Sequence, residues 1–279
     1  MNLLDILKLK GFDLNACTKM MRHQSKNFDT EEIFERGYIN EYQSVQSKDL
    51  LNCDYLISFI ARGQTKACFA GVWKVKGQVL FEKLGIPDDF PYPRFFTEPG
   101  DIFYDLEKVE RFDDLNGRLI IDWGKGTRSW HQWLKDKPVL EILPKGHIKP
   151  FPGYLDFVLS YDELYKMVGA PDPNRTWHQM LKSVAGIYLI TDKRRGQQYV
   201  GSANGKDGIL GRWRNYASNG HGGNTELRTL LGIDPNYAQH FAFTILRTLP
   251  ASITAKEVIA FEQLYKLKLG SRAHGLNLN

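Results

Sequence analysis

The chain has 279 residues, 42% of them hydrophobic and 25% charged, with a formal net charge of +5. This composition suits an ordinary globular protein long enough for two cores, with no internal repeat, low-complexity tract or coiled-coil heptad. No apolar run approaches a membrane span, the first residues lack a basic leader with an apolar stretch behind it, and Cys17, Cys53 and Cys68 are too scattered for a zinc site, so a cytoplasmic protein without membrane or zinc chemistry is expected.

In chain order, residues 29–42 read as a helix opening at Asp29. Residues 55–60, 67–75, 119–123 and 139–143 are β-branched and aromatic runs between Gly, Pro and Asp turns, which predicts a β-rich, barrel-like N-terminal domain with flanking helices. Residues 123–133 interleave Trp123, Trp130 and Trp133 with Lys125, Arg128 and His131, and Arg118, Lys135 and Lys137 flank them. Such a mixture suits base stacking and phosphate contact, making Lys125, Arg128 and Trp130 candidate DNA contacts, with Trp73 a further wall of a pocket for a flipped or modified base. It equally suits a barrel core closed by Trp130 and Trp133 with the cations in water. Gly124 to Thr127 lacks the spacing of a phosphate-binding P-loop.

Two stretches, 144–153 and 171–174, are rich in Pro, Gly and Asn and read as linkers, with the domain boundary placed near 174. Between them Ser160 and Glu163 form a capping box for a short helix ending at Gly169, and Thr176 to Gln179 would cap a lead-in helix. The charge divides unevenly. Residues 175–279 carry 14 Lys/Arg against 6 Asp/Glu, a net of +8, leaving 23 against 26, a net of −3, for residues 1–174. A basic C-terminal domain is expected of a protein that approaches a polyanion.

Residues 185–190 and 198–201, joined by a polar segment containing Gly196, read as a β-hairpin. Side-chain alternation puts Tyr188 on a face with Gly186 and Ile190, and Tyr199 on a face with Gly201, the glycines leaving space beside each hydroxyl. Helical patterns follow at 208–217 and 225–231, around a glycine-rich loop holding His221; then come a strand at 241–246 and a helix from about Thr254. Glu262 falls among the apolar positions Val258, Ile259, Phe261, Leu264 and Tyr265 of that helix. A carboxylate there needs a metal, a cation or a cleft opening.

The ordered set Gly186-Ile187-Tyr188, Tyr199-Val200-Gly201, Arg212, Glu262 and Asn277 resembles the GIY-YIG nuclease superfamily from Val184 onward. The resemblance implies a small antiparallel three-stranded sheet flanked by helices. It also implies a catalytic set of Tyr188, Tyr199, Arg212, His221, Glu262 and Asn277, with Arg214 a DNA contact. In that scheme Glu262 holds one divalent metal, Mg²⁺ or in its place Mn²⁺, and Arg212 pairs with the scissile phosphate. One tyrosine takes the proton of the attacking water, a nearby metal and arginine lowering its pKa from about 10. Asn277 ties the tail back to the site, and His221 acts on the phosphate side or in proton transfer. Ser202 stands where some relatives carry a lysine, which removes any proton relay through that position. A Mg²⁺-dependent DNA endonuclease results, serving restriction of foreign or modified DNA, with a homodimer able to cut both strands. A repair or homing nuclease, and a protein that only grips nucleic acid, are the alternatives.

Overall fold

The computed structural model describes residues 1–88, 90–96, 101–125 and 129–277. Two compact units form, Met1–Pro144 and Lys145–Asn279. No helix among the described residues is long and apolar enough to cross a membrane.

The first unit is built from α1 (Leu3–Leu9), β1 (Thr18–His23), α2 (Thr30–Glu35), α3 (Ile39–Gln43), β2 (Val45–Gln46), β3 (Tyr55–Arg62), β4 (Lys66–Val79), β5 (Ile102–Lys108), β6 (Leu119–Asp122), β7 (His131–Trp133) and β8 (Val139–Ile142). Its eight strands make one curled, half-barrel sheet in the order β2-β5-β4-β3-β1-β7, with β6 on β4 and β8 on β6. The 14-residue β4 reaches both β5 and β6 along one edge, which lets the sheet curl. Leu3, Ile6 and Leu7 of α1 fill the curl against Met20, Ile57, Phe59, Phe69 and Ile121. The expected continuous helix over 29–42 is two short helices, because Gly37, in the left-handed region at φ +82°, breaks it between α2 and α3.

β1 carries a polar group inward. His23 is buried, with Nε2 3.3 Å from Gln43 Oε1, which also accepts the Ser58 hydroxyl at 2.5 Å. Burial pulls the imidazole down to about 4, Gln43 opposing only in part. The folded state thus favours neutral His23, so the stability it contributes is present above its unfolded value near 6.5 and is lost as pH falls toward 4. That loss amounts to about 3 kcal/mol. Denaturant titrations between pH 7 and 4 are expected to show this decline, and His23→Gln to flatten it.

The second unit comprises β9 (Leu159–Ser160), α4 (Tyr161–Gly169), α5 (Arg175–Lys182), β10 (Ala185–Asp192), β11 (Gln198–Ala203), α6 (Gly208–Asn219), α7 (Thr225–Ile233), β12 (Phe241–Leu249) and α8 (Ala255–Leu269). The break between units falls in the first linker candidate, well before 174. Asn174 explains why the second candidate is no linker: its buried amide donates to Gly146 O and Ala170 O, and its Oδ1 accepts from Ile148 N, knotting 146–148 to the end of α4. This position also caps α5, without a side-chain capping bond, rather than the Thr176 region.

The sheet of this unit is antiparallel in the order β11-β10-β12-β9, so the expected three strands gain a two-residue fourth from before the hairpin. α4, α5, α6 and α7 cover one face, which carries Tyr188, Ile190, Ala203 and Phe243. α8 covers the other, where Val258, Phe261 and Tyr265 pack on Ala185, Ile187 and Val200. α8 follows a full capping box, Thr254 with Glu257, and stops at Gly270.

Candidate active site

The hairpin register pairs Tyr188 with Gly201 and Ile190 with Tyr199, so both tyrosines face α6, diagonally across β10 and β11. Tyr188 is fully buried and lies flat over Gly201: a Cβ there would stand 2.5 Å from its Cζ. Gly201 therefore makes the space for the Tyr188 ring. Gly186 does something else. A side chain on it would meet the Arg247 carbonyl of β12 at 2.5 Å and Ile209 at 3.0 Å, so this glycine serves strand and helix packing rather than a hydroxyl.

Arg212, one turn into α6, donates through Nε to the Tyr188 hydroxyl at 3.2 Å, and its guanidinium stands 5.4 Å from the Tyr216 ring. Tyr216, at the i+4 position of the same helix, joins its hydroxyl to that of Tyr188 at 3.1 Å. Burial pushes the Tyr188 phenol far above its ordinary value, with Tyr199 adding to the rise and Arg212 opposing it. Tyr216 moves up for the same first reason. For Arg212, burial works downward, but the phenols of Tyr188 and Tyr216 outweigh it and the net shift is upward. The guanidinium is a permanent cation held on neutral phenols. Its two terminal nitrogens have no hydrogen-bond or ion-pair partner among the described residues, so a fork of donors is left for an anion. Tyr199 is half-buried against the same core.

Glu262 projects from α8 toward the opposite face of the hairpin. Ser202, whose neighbours Gly201 and Ala203 face α6, donates its hydroxyl to Glu262 Oε2, and Lys266 places Nζ 2.8 Å from Oε1. Of the three partners such a carboxylate can have, the one present is a cation. No hydrogen bond or ion pair joins Glu262 to Arg212 or Tyr188 among the described residues. The two groups flank β11 from its two sides, and β11 is an edge strand. Asn277 sits on that edge, buried, with Oδ1 accepting from Val200 N at 2.9 Å and Nδ2 donating to Val200 O at 2.9 Å.

No hydrogen bond or ion pair joins His221 to either group among the described residues. Its Nδ1 accepts from Gly223 N at 2.9 Å, and partial burial followed by the nearby charge of Arg228 lowers its pKa, leaving a neutral ring. Its loop nevertheless touches the site through Gly222, which packs on the Tyr216 ring. Arg214 is exposed on α6, 4.0 Å from Asp207. At the β10–β11 turn, Lys193, Arg194 and Arg195 are exposed in succession; Asp192 accepts the backbone N–H groups of both arginines and the hydroxyl of Tyr237, whose ring lies 5.9 and 5.5 Å from the two guanidiniums.

In the first unit, Lys125 and Trp130 are exposed, and Trp133 is 57% exposed with Lys19 4.7 Å over its ring. A barrel core closed by Trp130 and Trp133 is therefore ruled out; the buried tryptophans are Trp73 and Trp123. Trp73, buried at 1% exposure, cannot wall an open pocket, and Lys137 is buried with its ammonium on the Trp123 carbonyl. Arg128 lies outside the described residues. Sequence reasoning passed over Tyr216 and Lys266, each four residues beyond a residue it had named, and that i+4 spacing was the available signal.

The family model of the GIY-YIG catalytic domain matches residues 184–277. Those residues are a GIY-YIG domain. Two solved structures are similar to this chain: the catalytic domain of intron endonuclease I-TevI in a mutant form, at 24% identity, and the catalytic domain of homing endonuclease I-TevI, at 23%. Each alignment covers 34% of this chain and respectively 94% and 98% of the other, with a TM-score of 0.28 in both cases. No curated protein matches the chain. The match makes residues 184–277 a nuclease domain, and nucleases of this family generally depend on a divalent metal. The donor chemistry fits one: Glu262 is a hard, partly accessible carboxylate suited to a cation that keeps most of its waters. No group of three His, Cys, Asp or Glu side chains gathers among the described residues, so the protein offers few ligands of its own.

Proposed function

We propose that the protein is a Mg²⁺-dependent DNA endonuclease of restriction or defence, in which the GIY-YIG domain cuts phosphodiester bonds and the first unit recognises foreign or modified DNA. The observation that carries the catalytic reading is the free fork of Arg212, anchored by Nε on Tyr188 and aimed by the Tyr216 ring. Arg212 and Glu262 flank β11 from its two faces, and the reading places the scissile phosphate beside that strand. Arg212 binds it and neutralises charge growing on its oxygens. Tyr188 and Tyr216, kept protonated by burial, orient Arg212 and hold no proton-accepting role at neutral pH. Tyr199 is then the tyrosine left to orient the attacking water, and in its phenolate form it would take that water's proton. Ser202 and Lys266 fix the Glu262 carboxylate, and Asn277 holds the edge strand in register. A divalent ion bound to Glu262 would supply Lewis-acid neutralisation.

The recognition reading rests on exposed Trp133 with Lys19 over its ring, and on Trp130 and Lys125, also exposed in the same segment of sequence, residue types suited to stacking and phosphate contact.

Incubation of plasmid DNA, modified and unmodified, with and without Mg²⁺, tests the whole reading. The unaltered protein is expected to nick or linearise plasmid only with Mg²⁺, and Glu262→Gln, which keeps a hydrogen-bonding group for Ser202 and Lys266, to do neither. Equal cleavage by both proteins removes Glu262 from the mechanism. Binding without cleavage of any DNA form favours a protein that only grips nucleic acid.

The basic turn gives a second measurement. Arg194 and Arg195 have no carboxylate partner for their guanidiniums among the described residues, while Lys149, Lys166 and Lys182 in the same unit do. Arg194→Ala/Arg195→Ala is expected to flatten the logarithmic salt dependence of DNA binding by about 2, close to 0.9 per lost phosphate contact. An unchanged slope takes the turn out of the DNA interface.

A further inference from the structure

Glu262 already carries a cation of the protein's own. Lys266 lies one turn further along α8, only 3% exposed, with Nζ 2.8 Å from Oε1, while the Ser202 hydroxyl donates to Oε2. A lysine is almost never buried this deeply without a charged partner, and its long stem ordinarily carries the ammonium out to water. On α8, Lys268 does stay exposed. The burial of Lys266 is thus tied to the carboxylate it meets.

We infer that Lys266 competes with the divalent ion for Glu262: its ammonium closes the carboxylate while the ion is absent, and an ion binding Oε1 must displace it. The inference rests on the reading of Glu262 as the metal carboxylate. A hard divalent ion binds a carboxylate oxygen at about 2.1 Å. With an ammonium on the same oxygen, two cations would crowd together where solvent screens them poorly. Oε2 is no easy substitute, because the Ser202 hydrogen already points at it. The free protein therefore holds divalent ions weakly, and the ion enters when DNA phosphate oxygens add the ligands the protein lacks. Metal and DNA arrive together, so the hydrolytic centre is not assembled on the unloaded enzyme.

Titration calorimetry of Mn²⁺ into the full-length protein without DNA tests this. Lys266→Met is expected to bind Mn²⁺ at least about 10-fold more tightly than the unaltered protein, and Glu262→Gln/Lys266→Met to lose that gain. Should the methionine variant prove unfolded by circular dichroism, Lys266→Gln, which still donates a hydrogen bond but carries no charge, replaces it with the same expected direction. Equal affinities, no binding to any of the proteins, or a gain that persists in the double variant overturns the inference. Because no DNA is present, this result stands apart from the plasmid assay: an active nuclease whose Mn²⁺ affinity ignores Lys266 defeats the competition alone, and an inactive protein that gains affinity defeats the nuclease reading alone.

Discussion

Arg212→Ala is expected to lower the single-turnover cleavage rate about 10³-fold while leaving the fold intact. The loss follows from geometry: the guanidinium is the cation held against the Tyr188 hydroxyl, and its terminal nitrogens, which have no hydrogen-bond or ion-pair partner among the described residues, are the donors left for the phosphate. Arginines that stabilise charge in phosphoryl transfer are worth 10³–10⁵ in rate. Arg212→Lys should recover little, since an ammonium keeps the charge but cannot both reach the Tyr188 hydroxyl and present a two-pronged donor. Stability should barely change, because the Tyr188 and Tyr216 hydroxyls still hold each other at 3.1 Å when Arg212 is gone. Single-turnover rates on a labelled duplex, beside melting curves, decide it; an alanine variant within tenfold of the unaltered rate would remove Arg212 from the chemistry.

Gly201→Ala is expected to damage fold and activity together. A methyl group there would stand 2.4 Å from the Tyr188 hydroxyl oxygen and 2.5 Å from Cζ, well inside contact distance. Tyr188 is enclosed by Trp213 and Tyr216 and has no vacant direction to move in, so the strand must shift instead. Overpacking of this kind costs about 1–3 kcal/mol, equivalent to a melting temperature lower by roughly 3–10 °C. Any shift of the ring also breaks its 3.2 Å bond from Arg212, so the cleavage rate should fall with the melting point. Gly232→Ala, exposed on α7 with open space around it and ordinary backbone angles, should leave the cleavage rate unchanged. Unaltered melting and cleavage in Gly201→Ala would mean that the Tyr188 ring does not pack over Gly201.

How far such a site can be read from residue order depends on whether each residue follows a local rule. The hairpin, α6 and α8 obey strand alternation and helical spacing, so Tyr188, Tyr199, Arg212 and Glu262 could be placed on their elements in advance. Tyr216 could not be distinguished from core, because a buried aromatic on an amphipathic helix looks the same with or without a hydroxyl contact. Lys266 reads as a solvated charge, since its i+4 spacing from Glu262 hints at a pair but does not reveal that its position on α8 faces inward. The first unit shows the opposite limit. β3, β4, β6 and β8 have conspicuous β-branched runs and were legible, whereas β1, Thr18 to His23, hides behind Lys19, Arg22 and His23. Arg22 is tolerated inside because its guanidinium reaches Gln24 and the carbonyls of Gly63 and Gln64, partners more than forty residues away in the second case. Tertiary hydrogen bonding overrode composition there. The tryptophans misled in the same way: Trp73 and Trp123 are inside and Trp133 is not, a distinction set by which face of each strand meets the curl.

The amide of Asn277 has a consequence for assembly. By pairing with both main-chain groups of Val200, and with Leu276 N on the Gln198 carbonyl at 2.8 Å, the tail occupies the hydrogen-bonding rim that an incoming strand would use. The opposite rim is formed by the two residues of Leu159–Ser160 beside Ala242 and Phe243 and by the rest of β12. Where the tail lies, over Gln198 and Val200, this border cannot be continued into a second molecule by backbone pairing, so two copies acting on opposite DNA strands would have to meet elsewhere, or through the duplex itself.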